Sequence, residues 1–142
     1  MKILHVLDHS LPLHSGYTFR TVAILREQRA RGWDTINVTT TRHGKSMAYL
    51  EQADGWEFYR THREPTLRRL LPVVGSYLDE MAATRSRLRE LVRKHRPDVI
   101  HAHSPVLNAL PALAVGESEN VPVVYEVRAF WEDAAVDHGS TT

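Results

Sequence analysis

The sequence predicts an α/β fold, a parallel sheet flanked by helices, from three observations. Short apolar, β-branched runs alternate with longer stretches in which apolar residues recur every three or four positions. The last short run, residues 121–127, is apolar but for Glu126, of the kind expected for a strand inside a parallel sheet. The stretches that follow the strands carry the unusual polar residues, and in open α/β sheets ligands bind beyond the carboxyl ends of the strands.

Taken in order, residues 3–7 form a first strand bounded by Asp8, His9, Ser10 and Pro12, and a loop runs on to Gly16. A helix is predicted from near Thr18. Val22, Ile24, Leu25 and Ala30 supply its apolar side, Arg26, Glu27 and Arg29 point outward, and Gly32 suits a cap. Residues 35–39 alternate and are β-branched, which predicts a second strand. A polar loop over residues 44–55 leads to a short strand at 57–61. The clearest helix carries Leu78, Met81, Ala82, Leu88, Leu91 and Val92 at three- and four-residue steps and ends before Pro97. Residues 98–102 make a fourth strand, 105–115 a short helix and 121–127 a fifth strand. The resulting order is β-α-β-β-α-β-α-β with right-handed crossovers. There is no internal repeat.

Composition bounds the function. The 142 residues, 42% apolar and 25% charged, fit one folded domain rather than a disordered chain. The absence of cysteine excludes disulfides, thiolate zinc sites and a cysteine nucleophile, and suits a reducing cytoplasm. The apolar run before Asp8 is too short for a secretory leader or a membrane span. Net charge is +1, but residues 60–96 hold ten arginines and lysines against Glu64, Asp79, Glu80 and Glu90. Leu67, Leu70, Leu71, Val73 and Val74 interleave there with Arg68 and Arg69, which suits either peripheral contact with an anionic membrane or a solvated helix face. No nucleic-acid partner is expected.

Three loops carry candidate chemistry. Gly16 precedes a helix, where free backbone N–H groups favour a phosphate, but the loop is not GxGxxG, and Gly16 equally suits a plain turn. His101 and His103 lie two apart on one strand and so share a face. A metal would need a third ligand from His9, His14, Glu126 or His138, and hydrogen-bonded histidines are the default. Glu126 and Arg128 leave the fifth strand on one face, where they either serve a site or pair with each other or with Asp133. The carboxylate-rich loop that follows, with Trp131, Glu132, Asp133 and Asp137, could orient sugar hydroxyls.

The strings HVLDHSLPLHSGYTFRT, RPDVIHAHSPVLNALPAL and VPVVYEVRAFWEDAAVDHG resemble the N-terminal domain of family 4 glycosyltransferases. Within that family they are similar to the branch found beside exosortase (PEP-CTERM) exopolysaccharide genes. The resemblance implies a GT-B enzyme of two Rossmann-like domains that transfers a sugar with retention, needs no metal and binds its acceptor chiefly through the N-terminal domain. It implies that this chain is that half, incomplete at its end, without the donor-binding C-terminal domain and its paired-glutamate motif. Gly16 then falls at the loop facing the donor phosphates, His103 in the strand-end motif lining the cleft, and Arg128 where many relatives have a histidine that contacts the donor sugar. Two departures stand out. Ser15 and Gly16 replace two adjacent glycines, and arginine at 128 cannot act as a base near neutral pH but can stabilise developing negative charge.

The expected function is thus transfer from a nucleotide-diphosphate sugar, the co-substrate in place of any cofactor, to a glycan or lipid-linked glycan in exopolysaccharide synthesis. The alternative is a stand-alone binding or scaffold domain. Arg128, Glu126 and His103 are the catalytic candidates. His14, Ser15, Gly16, Tyr17, Arg20, Ser104, Trp131, Glu132 and Asp133 are the substrate-binding candidates. The chain alone is expected to be inactive, to self-associate, and to work in the cytoplasm, peripherally at the inner face of the membrane.

Overall fold

The computed structural model describes residues 1–44, 46–63 and 71–128. In chain order the elements are β1 (Lys2–Leu7), α1 (Gly16–Ala30), β2 (Asp34–Thr39), a short 3₁₀ turn (Thr41–His43), β3 (Leu50–Ala53), β4 (Trp56–Tyr59), α2 (Val74–His95), β5 (Val99–His103), α3 (Val106–Glu119) and β6 (Val123–Glu126). The strands form one sheet in the order β3-β4-β2-β1-β5-β6. Every pairing is parallel except β3 with β4.

Alternation along β1 and β5 divides the molecule. Leu4 and Val6 of β1 and Ile100 and Ala102 of β5 point to one face, where Leu88, Leu91 and Val92 of α2 and Ala109, Ala112 and Val115 of α3 close a dry core. The other face lies under α1. There a smaller apolar cluster of Leu7, Leu11, Leu25, Trp56 and Phe58 sits toward β4. Between that cluster and β6 the sheet presents polar side chains to the helix instead.

Local chemistry accounts for most boundaries, including those that differ from expectation. α1 begins at Gly16, ahead of Thr18, because the Ser15 hydroxyl accepts the Thr18 N–H at 3.1 Å and caps the first turn. Of its expected apolar side only Leu25 is fully buried, and Thr18 and Thr21 share that burial. The supposed loop at residues 44–55 contains β3. Asp54 and Gly55 both have positive φ, 51° and 78°, and close a tight β3–β4 hairpin, so β3 runs antiparallel to the other strands and the expected 57–61 strand shifts to Trp56–Tyr59. α2 buries Leu88, Leu91 and Val92 as expected but leaves Leu78 exposed, because its first half packs through Asp79, Glu80 and Thr84.

α3 continues past residue 115 to Glu119. It tolerates Pro111 inside, at the cost of one backbone hydrogen bond. Gly116 is required there: a Cβ would run into the Val123 side chain and lie 2.6 Å from the Val121 carbonyl oxygen. β6 is the edge strand among the described residues, with Val124 and Tyr125 part exposed, rather than a strand enclosed within the sheet. Leu71, Val73 and Val74 are exposed, whereas Leu67, Arg68, Arg69 and Leu70 lie outside the described residues.

Candidate functional site at the carboxyl end of the sheet

Register builds the site. His5 of β1 pairs with His101 of β5, and His103 pairs with Glu126 of β6, so His5, His101, His103 and Glu126 all face α1. Arg128, two residues past Glu126, continues the same face. α1 supplies Tyr17, Arg20, Thr21 and Gln28 from above. In place of apolar side chains, the layer between helix and sheet holds a hydrogen-bonded array.

Arg128 is committed inside this array. Its Nε donates to Glu126 Oε1 at 3.2 Å, one terminal nitrogen donates to the Tyr17 carbonyl at 3.0 Å and the Thr21 hydroxyl at 2.9 Å, and the other contacts His103 Nδ1. The guanidinium also lies over the Tyr17 ring, 4.4 Å from its centroid. The Arg128 backbone N–H donates to Ser104 Oγ at 2.8 Å, and Ser104 Oγ donates to the Glu126 carbonyl at 3.1 Å, which pins the end of β6 to the end of β5. Arg20 donates to Glu126 from α1 at 3.1 Å. Two guanidiniums thus surround one carboxylate, leaving an excess of positive charge at the strand ends.

The histidines lie behind it. His103 and His5 are fully buried, His103 Nε2 lies 2.9 Å from His5 Nδ1, and His5 Nε2 lies 2.8 Å from Gln28 Oε1. Burial pushes His103 down to about 4 and His5 well below the usual histidine value, with His103 and His101 also disfavouring charge on His5, and His101 and Arg128 disfavouring it on His103. His101, lowered by burial too, sits 3.0 Å from Glu126 Oε2. Glu126 is held well below the usual carboxylate range by its contact with His103 and by Arg128 and Arg20. The two arginines carry most of this, because the Nδ1 atom that faces Glu126 at 3.1 Å is in closer contact with Arg128.

A second array occupies the β1–α1 loop. Asp8 Oδ2 lies 2.9 Å from His9 Nδ1, and His9 Nε2 lies 2.8 Å from Ser15 Oγ. The chain has the polarity of carboxylate, imidazole and hydroxyl. Ser15 is nevertheless an anchor rather than a nucleophile, because Thr18 engages its oxygen through both the backbone N–H and the hydroxyl. What the array provides is an imidazole held in place between a carboxylate and a hydroxyl.

The strand-end register therefore brings together Arg128, Glu126, His103, Ser104, Tyr17 and Arg20 of the candidates. Ser15 and Gly16 sit one loop away, and Gly16 has no neighbour within 4 Å of an added Cβ, which leaves its backbone approachable. His14 is exposed and packs against Phe19 instead. Trp131, Glu132 and Asp133 lie outside the described residues. Sequence reasoning missed His5, Gln28 and the Asp8–His9 pair. A histidine in the middle of an apolar strand was the available signal for His5.

Metal binding requires a different arrangement. The nitrogens of His5, His101 and His103 lie within 4.8 Å of one another and are the histidine set that could hold an ion. Of the third ligands considered from sequence, Glu126 is adjacent, and His138 lies outside the described residues. Binding would break the His5–His103 hydrogen bond and displace a guanidinium, so the set fits a hydrogen-bond chain better than an ion.

Comparison with known proteins agrees with this architecture. The glycosyl transferase 4-like domain family matches residues 15–142. No curated protein sequence matches the chain. Among solved structures, the glycotransferase of kitacinnamycin is 18% identical with a TM-score of 0.54, over 87% of this chain and 29% of that one. A spinosyn rhamnosyltransferase complexed with thymidine diphosphate is 19% identical with a TM-score of 0.53, over 88% of this chain and 34% of that one. The C-terminal domain of a hydrogenase from Pyrococcus furiosus is 17% identical with a TM-score of 0.59, over 89% of this chain and 90% of that one. Identities this low show the fold alone, and the chain spans about a third of each of the two glycosyltransferases. The fold is that of the N-terminal, Rossmann-like half of GT-B glycosyltransferases. By its family match over most of its length, the chain belongs to the glycosyl transferase 4-like domain family.

Proposed function

We propose that the chain forms the acceptor-side wall of a glycosyltransferase that moves a sugar from a nucleotide-diphosphate sugar to a glycan or lipid-linked glycan, in exopolysaccharide synthesis. The observation that carries this reading is the convergence of Arg128, Arg20, Glu126, His103 and Ser104 beyond the strand ends, where a fixed positive excess meets the approachable backbone of Gly16. Arg128 and Arg20 would stabilise charge on a departing diphosphate. A polar hollow of about 340 Å³ lined by Thr61, His62, Asp79 and Ser86, between the end of β4 and α2, gives an acceptor room. The donor's base and phosphates need an enclosing second domain, so turnover requires more than this domain. No helix among the described residues is long and apolar enough to cross a membrane. A lipid-linked acceptor would therefore be met at the membrane surface.

Resemblance favours retention, but the Asp8–His9 pair favours a second reading. An imidazole backed by a carboxylate suits activation of an acceptor hydroxyl for in-line displacement, which inverts the anomeric centre. The anomeric configuration of the product decides between them. The glycosyltransferase reading itself is tested by titrating the ¹⁵N-labelled chain with uridine, guanosine and thymidine diphosphates. The amides of Gly16, Tyr17, Ser104 and Arg128 should shift, with Kd about millimolar or weaker on the affinity scale. Shifts confined to other parts of the molecule would overturn it.

A further inference from the structure

We infer that Gln28 and His5 are positioning residues that fix the ring tautomer of His103 and thereby dock Arg128 at the strand ends. Arg128 fixes the polarity of the hydrogen-bond chain at one end. An arginine side chain carries five N–H donors, accepts nothing and stays charged in a protein. His103 Nδ1, in contact with the Arg128 guanidinium, must therefore present a lone pair. A neutral imidazole with a bare Nδ1 carries its proton on Nε2, which then donates across 2.9 Å to His5 Nδ1. His5 in turn carries its proton on Nε2 and donates across 2.8 Å to Gln28 Oε1. The amide oxygen at the far end accepts that donation, so every link of the chain is satisfied in one direction.

The opposite direction is also on offer. Glu126 Oε2 lies 3.1 Å from the same Nδ1 and would accept a proton placed there. His103 would then expel Arg128, accept a hydrogen bond from His5 Nδ1–H on its Nε2, and leave His5 Nε2 needing a donor. Gln28 closes the direction that Arg128 sets by offering its amide oxygen to His5, from the half-buried flank of α1 and without touching Arg128. His101 stacks on the His103 ring, 4.0 Å between centroids, and meets Glu126, while Thr21 meets Arg128, so both His101 and Thr21 leave the ring nitrogens of His103 to Arg128 and His5. Burial keeps His5 and His103 neutral, which the argument requires.

The inference builds on the reading of the strand-end cluster as a reaction centre, but it is tested without any substrate. Long-range proton–nitrogen spectra of the ¹⁵N-labelled 142-residue chain at pH 8 report the protonated ring nitrogen of each histidine. His103 should carry its proton on Nε2. Gln28→Glu can only accept and should preserve that tautomer, whereas Gln28→Lys can only donate and should move the proton to Nδ1. In Gln28→Lys the Arg128 Nε–H should then exchange with water about tenfold faster, the scale of one hydrogen bond to a charged group. A purely structural Gln28 would respond alike to both substitutions, and melting curves confirm that each variant is folded. Finding the His103 proton on Nδ1 in the unsubstituted chain, or the same tautomer in both variants, overturns the inference. If the tautomers behave as stated while nucleoside diphosphates leave Ser104 and Arg128 unmoved, the docking of Arg128 stands and the reaction reading falls.

Discussion

The two faces of the central sheet share the same strands and do opposite work. On the α2–α3 face, Leu4, Val6, Ile100 and Ala102 meet Leu88, Leu91 and Val115 in one apolar cluster. On the α1 face, the residues one step along the same strands are His5, His101 and His103, tied to Glu126, Arg128 and Gln28. Burying polar groups contributes little net stability even when each is satisfied. The comparison teaches that one face holds the fold while the other is held by it, aiming a charged array past the strand ends.

The sharpest way to break that contrast is to open the dry face. Leu91 is fully buried in it, and Leu91→Ala should cost about 2–5 kcal/mol in urea denaturation, from lost transfer energy plus the cavity. The diphosphate-induced shifts at Ser104 and Arg128 should persist in whatever remains folded. A cost under about 1 kcal/mol would mean that this face does not carry the fold.

Acid should act on the other face. His103 sits at about 4 when folded because burial disfavours its charge, against 6.5 in the unfolded chain, and His5 and His101 are lowered for the same first reason. The unfolded state therefore binds more protons below 6.5, and stability present above that pH is lost as pH falls toward 4. From His103 alone the loss is about 3 kcal/mol, or roughly 10 °C in Tm for a chain of this size. Glu126, lowered rather than raised, adds to the same acid loss at still lower pH. A Tm unchanged between pH 7 and 4.5 would show that the histidines are not buried as neutral rings.

How much of this was legible in the sequence follows the same division. The dry face was legible because β-branched runs and three- and four-residue spacing report burial directly. Leu88, Leu91 and Val92 sit where that spacing puts them. The pairs His101–His103 and Glu126–Arg128 were legible as face-sharing, because alternation within a strand is fixed. What could not be read was register between strands. Nothing in the chain states that His5 stands beside His101 or that His103 stands beside Glu126. Gln28 was hidden for a related reason, since on a helix a glutamine reads as a solvated residue until its neighbour across the layer is known. β3 escaped because Leu50–Ala53 is half polar, although the Asp54–Gly55 turn beside it was a signal.

Arg128 sharpens the comparison by testing whether a residue so fully paired still serves a ligand. Arg128→Ala leaves Glu126 and His103 without their shared partner and should cost about 2 kcal/mol of stability, the scale of hydrogen bonds to a charged group. It should also weaken diphosphate binding about tenfold or more, and Arg128→Lys should recover part of each, since a point charge lacks the planar fork. Thermal melting and titration on one preparation separate the roles. A stability loss with unchanged Kd would make Arg128 a strut of the array and no part of a phosphate site.

The smallest expected effect lies at the hinge between the two arrays, where Ser15 both caps α1 and anchors His9. Ser15→Ala should cost about 1 kcal/mol through the lost cap, whereas Ser15→Gly should cost only a few tenths, because glycine at that position lets water reach the freed N–H groups. If Ser15 acted only as a cap, both variants would bind diphosphates alike. Glycine beside Gly16 instead restores the adjacent pair that the resemblance leads one to expect, removes a side chain from the phosphate approach, and should hold or tighten diphosphate binding. Alanine keeps a Cβ there without the hydroxyl and should weaken it. Equal affinities in the two variants would place the phosphates away from this loop and leave Arg128 and Arg20 as their only strand-end contacts.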